Sequence, residues 1–304
     1  MRLRKTTLVI ACVVLACEAT GFEPEYMVDT LRVLAVEPDS PFAAPGQTVN
    51  LTTLWADPLG NGRSITWAWG TCLNPGGTQI TDCANALQTL TLGTDSFQVT
   101  VPLDALDGLS EPVGELGVIF AACAGTIALT FDPVNGAPVT CTDGIGAIVG
   151  RDGFMWGGTR LVVTTLETIT NPTIDKVFID GSEWAPGFVW PIQSCAATDP
   201  TECPPSAQHD LTYTATPASL QMYQTPTGPA TVQLVGWFYV TQGTLTAGYA
   251  LPDTDDAGAP VSPPTFDMAF APTQSDLTHP VHLWLVMRNN LGGITFTDRQ
   301  FSWQ

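Results

Sequence analysis

Glycine and proline recur along almost the whole of this chain, 28 and 25 times in 304 residues, and leave little uninterrupted length for helices. Between them lie short runs rich in β-branched, aromatic and aliphatic residues, the pattern of strands separated by turns. In the first half these runs fall at 31–36 (LRVLAV), 48–56 (TVNLTTLWA), 64–70 (SITWAWG), 96–101 (SFQVTV), 115–122 (ELGVIFAA) and 159–165 (TRLVVTT). The run 48–56 alternates cleanly, with Val49, Leu51, Thr53 and Trp55 on one face and Asn50, Thr52 and Leu54 on the other. Pro45-Gly46 and the stretch 57–62 (DPLGNG) supply turns between strands.

The second half repeats the plan at 173–179, 210–216, 231–240, 244–249, 265–270, 281–288 and 293–303. In both halves an aromatic-rich third strand (SITWAWG, VQLVGWFYV) is followed later by a strongly apolar penultimate strand and a closing strand. About seven short strands per unit suit an immunoglobulin-like sandwich. The predicted fold class is therefore all-β: two tandem immunoglobulin-like antiparallel β-sandwiches, over 29–168 and 169–304, with Asn171-Pro172 as the linker. Trp67 and Trp69 then belong to the core between sheets, the alternative being an exposed platform that stacks on carbohydrate.

Residues 1–17 (MRLRKTTLVIACVVLAC) precede the strands. Arg2, Arg4 and Lys5 form a basic region, and Leu8 to Ala16 an apolar run well short of the roughly 20 residues a membrane-spanning helix needs. This is the layout of a cleaved export signal. Val14-Leu15-Ala16-Cys17 resembles the bacterial lipobox, which implies acylation of Cys17 and removal of the signal peptide 1–16. Two or three acyl chains anchor a protein stably where one does so only marginally. An ordinary secretory signal with an incidental cysteine is the alternative. Residues 17–28 then form the acylated cysteine and its tether. Glu18, rather than Asp, follows the anchor, and by resemblance to enterobacterial sorting this favours the outer membrane, on its periplasmic or cell-surface face.

Six cysteines remain beyond Cys12 and Cys17: Cys72, Cys83, Cys123, Cys141, Cys195 and Cys203. Six allow 15 pairings. Their positions suggest three local bridges, 72–83, 123–141 and 195–203. A bridge between Cys72 and Cys123 is disfavoured. The strands before them are antiparallel neighbours, so the two thiols lie at opposite ends of the sheet, beyond the ~7 Å reach of a disulfide. A structural zinc site is the alternative, but there is no C-x-x-C pair, and an exported chain meets an oxidising environment.

Removing residues 1–16 leaves seven basic against 29 acidic side chains, a formal charge of −22. Such a surface repels nucleic acid and excludes it as a partner. Catalytic signatures are missing: there is no H-E-x-x-H and no G-x-S-x-G. His279 and His282, three apart in an extended strand, face opposite sides and make a poor metal pair. His209 is the third histidine. The loop 253–258 (DTDDAG) has Asp253 and Asp255 at the first and third positions of a calcium loop but Ala257 at the fifth, so it reads as a solvated loop, weak calcium binding requiring carboxylates from neighbouring loops. Asn289-Asn290-Leu291-Gly292-Gly293 reads as a tight hairpin turn.

The stretch LRVLAVEPDSPFAAPGQTVNLTTLWADPLG, followed by ITWAWGTCLNPG, resembles the opening of lipoproteins common in myxobacteria and their relatives. LWLVMRNNLGGITF is similar to their closing hairpin, an aromatic-apolar strand running into an R-[DN]-x-x-G-G turn. The resemblance covers both ends of the mature chain. It implies immunoglobulin-like or PKD-like sandwiches on a lipid anchor, and it carries no catalytic residue, metal or cofactor over.

These readings converge on a lipid-anchored envelope lipoprotein that is not an enzyme and binds a protein or glycan partner through loops at 71–95, 123–158 and 185–208. A structural spacer within an envelope complex and a hydrolase with an unrecognised site are the alternatives. Cys17→Ala is expected to release the protein from membranes or block its processing, checked by fractionation and by the mass of the N-terminal peptide.

Overall fold

The computed structural model describes residues 25–58, 60, 62–73, 83, 90–110, 112–128, 139–166, 169–195, 202–204, 207–225, 228–256, 258–272 and 280–304. The stretch read as an export signal, Cys17 and His279 lie outside them. The first ten strands are β1 (Arg32–Pro38), β2 (Phe42–Ala43), β3 (Thr48–Ala56), β4 (Thr66–Leu73), β5 (Thr91–Gly93), β6 (Ser96–Thr100), β7 (Val113–Cys123), β8 (Thr126–Ala128), β9 (Thr140–Thr142) and β10 (Phe154–Thr164). They form a three-stranded sheet β1-β3-β6 facing a five-stranded sheet β2-β10-β7-β4-β5, with β8 and β9 as a separate hairpin.

The next twelve are β11 (Ile174–Ile179), β12 (Ser182–Glu183), β13 (Val189–Ile192), β14 (His209–Ala215), β15 (Met222–Thr225), β16 (Gly228–Thr231), β17 (Leu234–Val240), β18 (Thr244–Leu245), β19 (Tyr249–Ala250), β20 (Thr265–Ala271), β21 (Val281–Asn289) and β22 (Ile294–Trp303). Here the sheets are β12-β11-β14-β20-β18 and β13-β22-β21-β17-β19. In both units the chain crosses sheets early, after β1 in the first and after β12 in the second, and then pairs parallel with the last strand, β2 with β10 and β13 with β22. The molecule is thus two tandem immunoglobulin-like sandwiches. The short pairing strands β2, β5, β12, β13 and β19 carry too few residues for alternation to reveal.

Each core is aromatic. Trp67 and Trp69 are buried and stacked 6.0 Å apart, and Trp69 stacks on Phe97 at 5.1 Å. They fill the space between sheets and offer no sugar-binding face. In the second unit Tyr213, Phe238, Phe266, Phe270 and Phe301 are buried together. A Cβ on Gly236 would lie 2.0 Å from the Tyr213 hydroxyl oxygen, so β17 needs glycine there.

Two strands break the alternation expected of a sandwich, and for the same reason. β7 is buried at nearly every position from Gly114 to Cys123, and β21 at most positions from Val281 to Asn289. A strand reads as a continuous apolar run when both its faces are covered. The inner face of β7 lines the sandwich core. Its outer face, with Ile119, Ala121 and Cys123, is covered by Cys83, Leu90, Ile127, Val139 and Cys141. The insertions expected to present contact loops at 71–95 and 123–158 therefore spend these residues on roofing the sheet. The outer face of β21 is covered by the first sandwich instead: Trp284 packs with Val28, Leu34 and Ala56, and Val286 with Ala35.

That contact depends on a β-bulge in β1. Val33 pairs with Trp55 and Ala35 with Leu54, so Leu34 is the extra residue. Leu31 and Val36 face the first core, whereas Leu34 and Ala35 both turn toward the second sandwich. The Leu34 carbonyl accepts an N–H of Arg288 at 2.7 Å, and the same guanidinium lies 5.9 Å from the Trp237 ring centroid. Burial raises the Glu37 carboxyl above its ordinary range at this seam, with a hydrogen bond from Thr295 opposing. Asn171 clamps the connection, donating to Pro38 O at 2.5 Å and accepting from Ile294 N–H at 3.1 Å. β1 thus lies across the outer face of β21 and β22, and the sandwiches lie side by side with unlike ends together: the end where β1 and β10 begin meets the Val240 end, where β21 begins and β22 finishes.

The tether expected over 17–28 is shorter than its sequence suggested. Val28 N–H donates to Val240 O at 2.8 Å, Val240 N–H donates to Tyr26 O at 2.9 Å, and Val28 is fully buried. Arg32 donates to the carbonyls of Glu25 and Met27. The backbone groups of Tyr26 and Val28 find their partner at Val240 in the second sandwich, which nothing local could reveal.

Arg288→Met would keep the packing volume but leave the bulged Leu34 carbonyl without its charged donor, at a cost of about 1.5–3 kcal/mol. Urea unfolding followed by tryptophan fluorescence checks this; a midpoint unchanged from the parent would contradict the role given to the bulge.

Candidate functional site

The six cysteines beyond Cys12 and Cys17 are bridged locally: Cys72–Cys83, Cys123–Cys141 and Cys195–Cys203, with Cα separations of 5.6, 5.7 and 5.8 Å. Cys72 sits opposite Gly117 and Cys123 opposite Thr66 on antiparallel strands, which separates those two thiols along the sheet. The sulfurs are engaged with one another and leave none to bind zinc.

The polar candidates do not converge. Asp255 caps its own loop, its carboxylate accepting Ala259 N–H at 2.9 Å. Partial burial, then the neighbouring Asp267 carboxylate, raises Asp253 above its ordinary value. Two carboxylates fall far short of the six to eight oxygens calcium takes. Among the described residues no three His, Cys, Asp or Glu side chains gather as metal ligands would. His282 stacks on Trp284 at 5.6 Å, and burial lowers it below its ordinary value against the pull of Asp298. Asn289, at the closing hairpin, accepts the N–H groups of Leu291 and Gly293, so that turn is structural.

One pair has the geometry of a base and its orienting acid. His209 Nδ1 lies 2.8 Å from Asp180 Oδ2, while Asp180 Oδ1 accepts Asp210 N–H at 2.9 Å. The other imidazole nitrogen, Nε2, is buried and meets no hydrogen-bond partner among the described residues. A general base must reach the proton it takes, and this nitrogen faces no substrate. The pair is a clasp between the β11–β12 turn and β14.

Besides the exposed side chains on or next to the edge strands β5, β13 and β19 (Leu92, Phe188, Val189, Tyr249), two groups of exposed apolar side chains stand at opposite ends of the molecule. One end holds the start of β1, the β3–β4 connection and the β7–β10 insertion, beside the Val240 end of the second sandwich. There Ile145 and Ile148 are 91% and 81% exposed. Their hairpin is braced: Asp143 accepts the N–H groups of Ile145 and Ala147 through one carboxylate oxygen, Asp143 N–H donates to Ala147 O, and Val149 N–H donates to Cys141 O. Cys141 is itself stapled to β7.

The opposite end holds the β6–β7 connection and the exit from β10. Leu103 is 83% exposed and Leu166 64%, with Leu73, Leu109 and Val113 also exposed. Leu166 N–H donates to the Thr164 hydroxyl, which donates to Pro112 O, fixing Leu166 beside the start of β7. Met222 and Leu251 are exposed at the adjacent end of the second sandwich. Neither cluster was anticipated from sequence. The only signal was an apolar side chain inside turn-forming stretches, as in Asp143-Gly144-Ile145-Gly146 and Pro102-Leu103-Asp104.

No family model and no curated protein matches this chain. Among solved structures, the chain is similar to one in the crystal structure of Dpr2 Ig1-Ig2 in complex with DIP-Theta Ig1-Ig3. The identity is 11% and the TM-score 0.19, over 90% of this chain and 64% of that one. A score this low supports no inference about binding.

Asp143→Ala removes the carboxylate that holds the turn. Amide exchange at Ile145 and Ala147 should quicken, while global stability falls by about 1 kcal/mol at most. Hydrogen-exchange mass spectrometry over 141–149 measures this, and unchanged protection would show that the brace is dispensable.

Proposed function

We propose that this chain is a lipid-anchored envelope protein, acylated at Cys17, whose two sandwiches act as a non-catalytic interaction module for a protein partner. The resemblance to myxobacterial-type lipoproteins and the export features place it at the outer membrane in this reading. The observation that carries the binding role is the group of exposed apolar side chains around Leu103 and Leu166, at the end away from the docked N-terminal segment. Apolar side chains held on a rigid scaffold are suited to partner binding, because little conformational freedom remains to be lost.

A protein partner fits better than a glycan. Sugar recognition stacks pyranose faces on exposed aromatic rings, and those among the described residues, Trp156 on β10, Phe188 before β13 and Tyr249 on β19, do not belong to the Leu103–Leu166 group. A spacer role is disfavoured by the packing, since domains laid side by side sacrifice the length that an end-to-end arrangement would give.

Photo-crosslinking from positions 103 and 166 in intact cells tests the reading. A discrete protein adduct is expected, lost in the Leu103→Asp, Leu166→Asp pair when crosslinked from position 109. Absence of any protein adduct from all three positions would overturn it.

A further inference from the structure

We propose that the hairpin Cys141–Val149 rests on the lipid bilayer that holds the anchor, with Ile145 and Ile148 lodged among the headgroups and the first acyl carbons. This rests on the reading of Cys17 as acylated. The folded body begins by Glu25, whose carbonyl is held by Arg32, and Met27 pairs with Val240. Eight peptide links separate Cys17 from Glu25, at most about 29 Å of extended chain. The end of the molecule that contains Tyr26–Val28 is therefore kept close to the membrane.

The isoleucine hairpin belongs to that end. Leu31 N–H donates to Asp152 O, and Ala124 N–H donates to Gly153 O, so the base of the insertion adjoins the segment that leads in from the anchor. β8 folds back from the end of β7, its Ile127 covering the sheet, and β9 returns antiparallel to it. The turn at 143–148 then points beyond the end of the sandwich. Its backbone groups are satisfied internally, and its two large aliphatic side chains have no neighbours to bury them. Exposed Arg151, just after the hairpin, places a cation beside Asp152, so the hairpin's base is locally balanced in a chain that is otherwise strongly acidic.

A stable anchor needs no help in holding the protein, so the hairpin's contribution is orientation. A tether alone lets the body tumble; a second contact on the bilayer would stand it upright and turn the Leu103 end outward.

The test uses the full lipidated protein in vesicles of phosphatidylethanolamine and phosphatidylglycerol, with a photoreactive residue at position 145, 148 or, as a control, 103. Lipid adducts are expected from 145 and 148 and not from 103. In Ile148→Ser, whose thermal transition should match the parent because the side chain is exposed, the adduct from 145 should fall. If Cys17 carries its acyl groups by mass yet 145 and 148 give no lipid adduct, or give one with protein, the hairpin contact is wrong and the anchor stands. If Cys17 is not acylated, both readings fall together.

Discussion

The carbonyl of Leu34, displaced from its ladder by one extra residue in β1, meets the guanidinium of Arg288 from the other sandwich. A bulge ordinarily strands a backbone group, and a buried carbonyl without a donor is costly. Here the group is satisfied by the neighbouring domain, so the irregularity and the interface stabilise each other. The bulge also turns Leu34 and Ala35 outward together, which supplies the apolar contact for Trp284 and Val286. Without it, strict alternation would return one of the two to the first core.

The side-by-side arrangement explains a feature that alternation alone leaves unaccounted for. The penultimate strands of both halves are apolar at almost every position, although each belongs to an antiparallel sandwich that would normally show one face to water. In the first unit the second face is roofed by disulfide-stapled insertions, and in the second by the first unit. One pattern is met by two different covers. The insertions thus lose part of the recognition role that their length and position suggested, although the second of them leaves Ile145 and Ile148 exposed at its tip.

Much of the scaffold was legible in the chain. The strand at 48–56 matches its expected bounds, because Val49, Leu51 and Thr53 alternate with polar neighbours on a sheet with one solvated face. The cysteine pairs followed from their spacing and from antiparallel strand order. Trp67 and Trp69 followed from their place on a third strand. The candidate surfaces were not legible, since exposed Ile145 and Leu103 carry no periodicity and are marked only by their misplacement in turns. Nor was the His209–Asp180 clasp, whose partners stand 29 residues apart, one on β14 and the other in the β11–β12 turn.

By itself the sequence determined an all-β chain in two sandwich units with local disulfides, because period-two patterning, turn chemistry and short cysteine spacings are local properties. Only the tertiary structure decided that the units lie side by side, that residues 26–28 dock on the second of them, and that Ile145 and Leu103 are left to solvent at opposite ends. Those outcomes depend on which face of one domain finds a complementary face on another. That complementarity is set by Leu34, Trp284 and Arg288 together, residues distant in sequence that acquire their meaning only when packed.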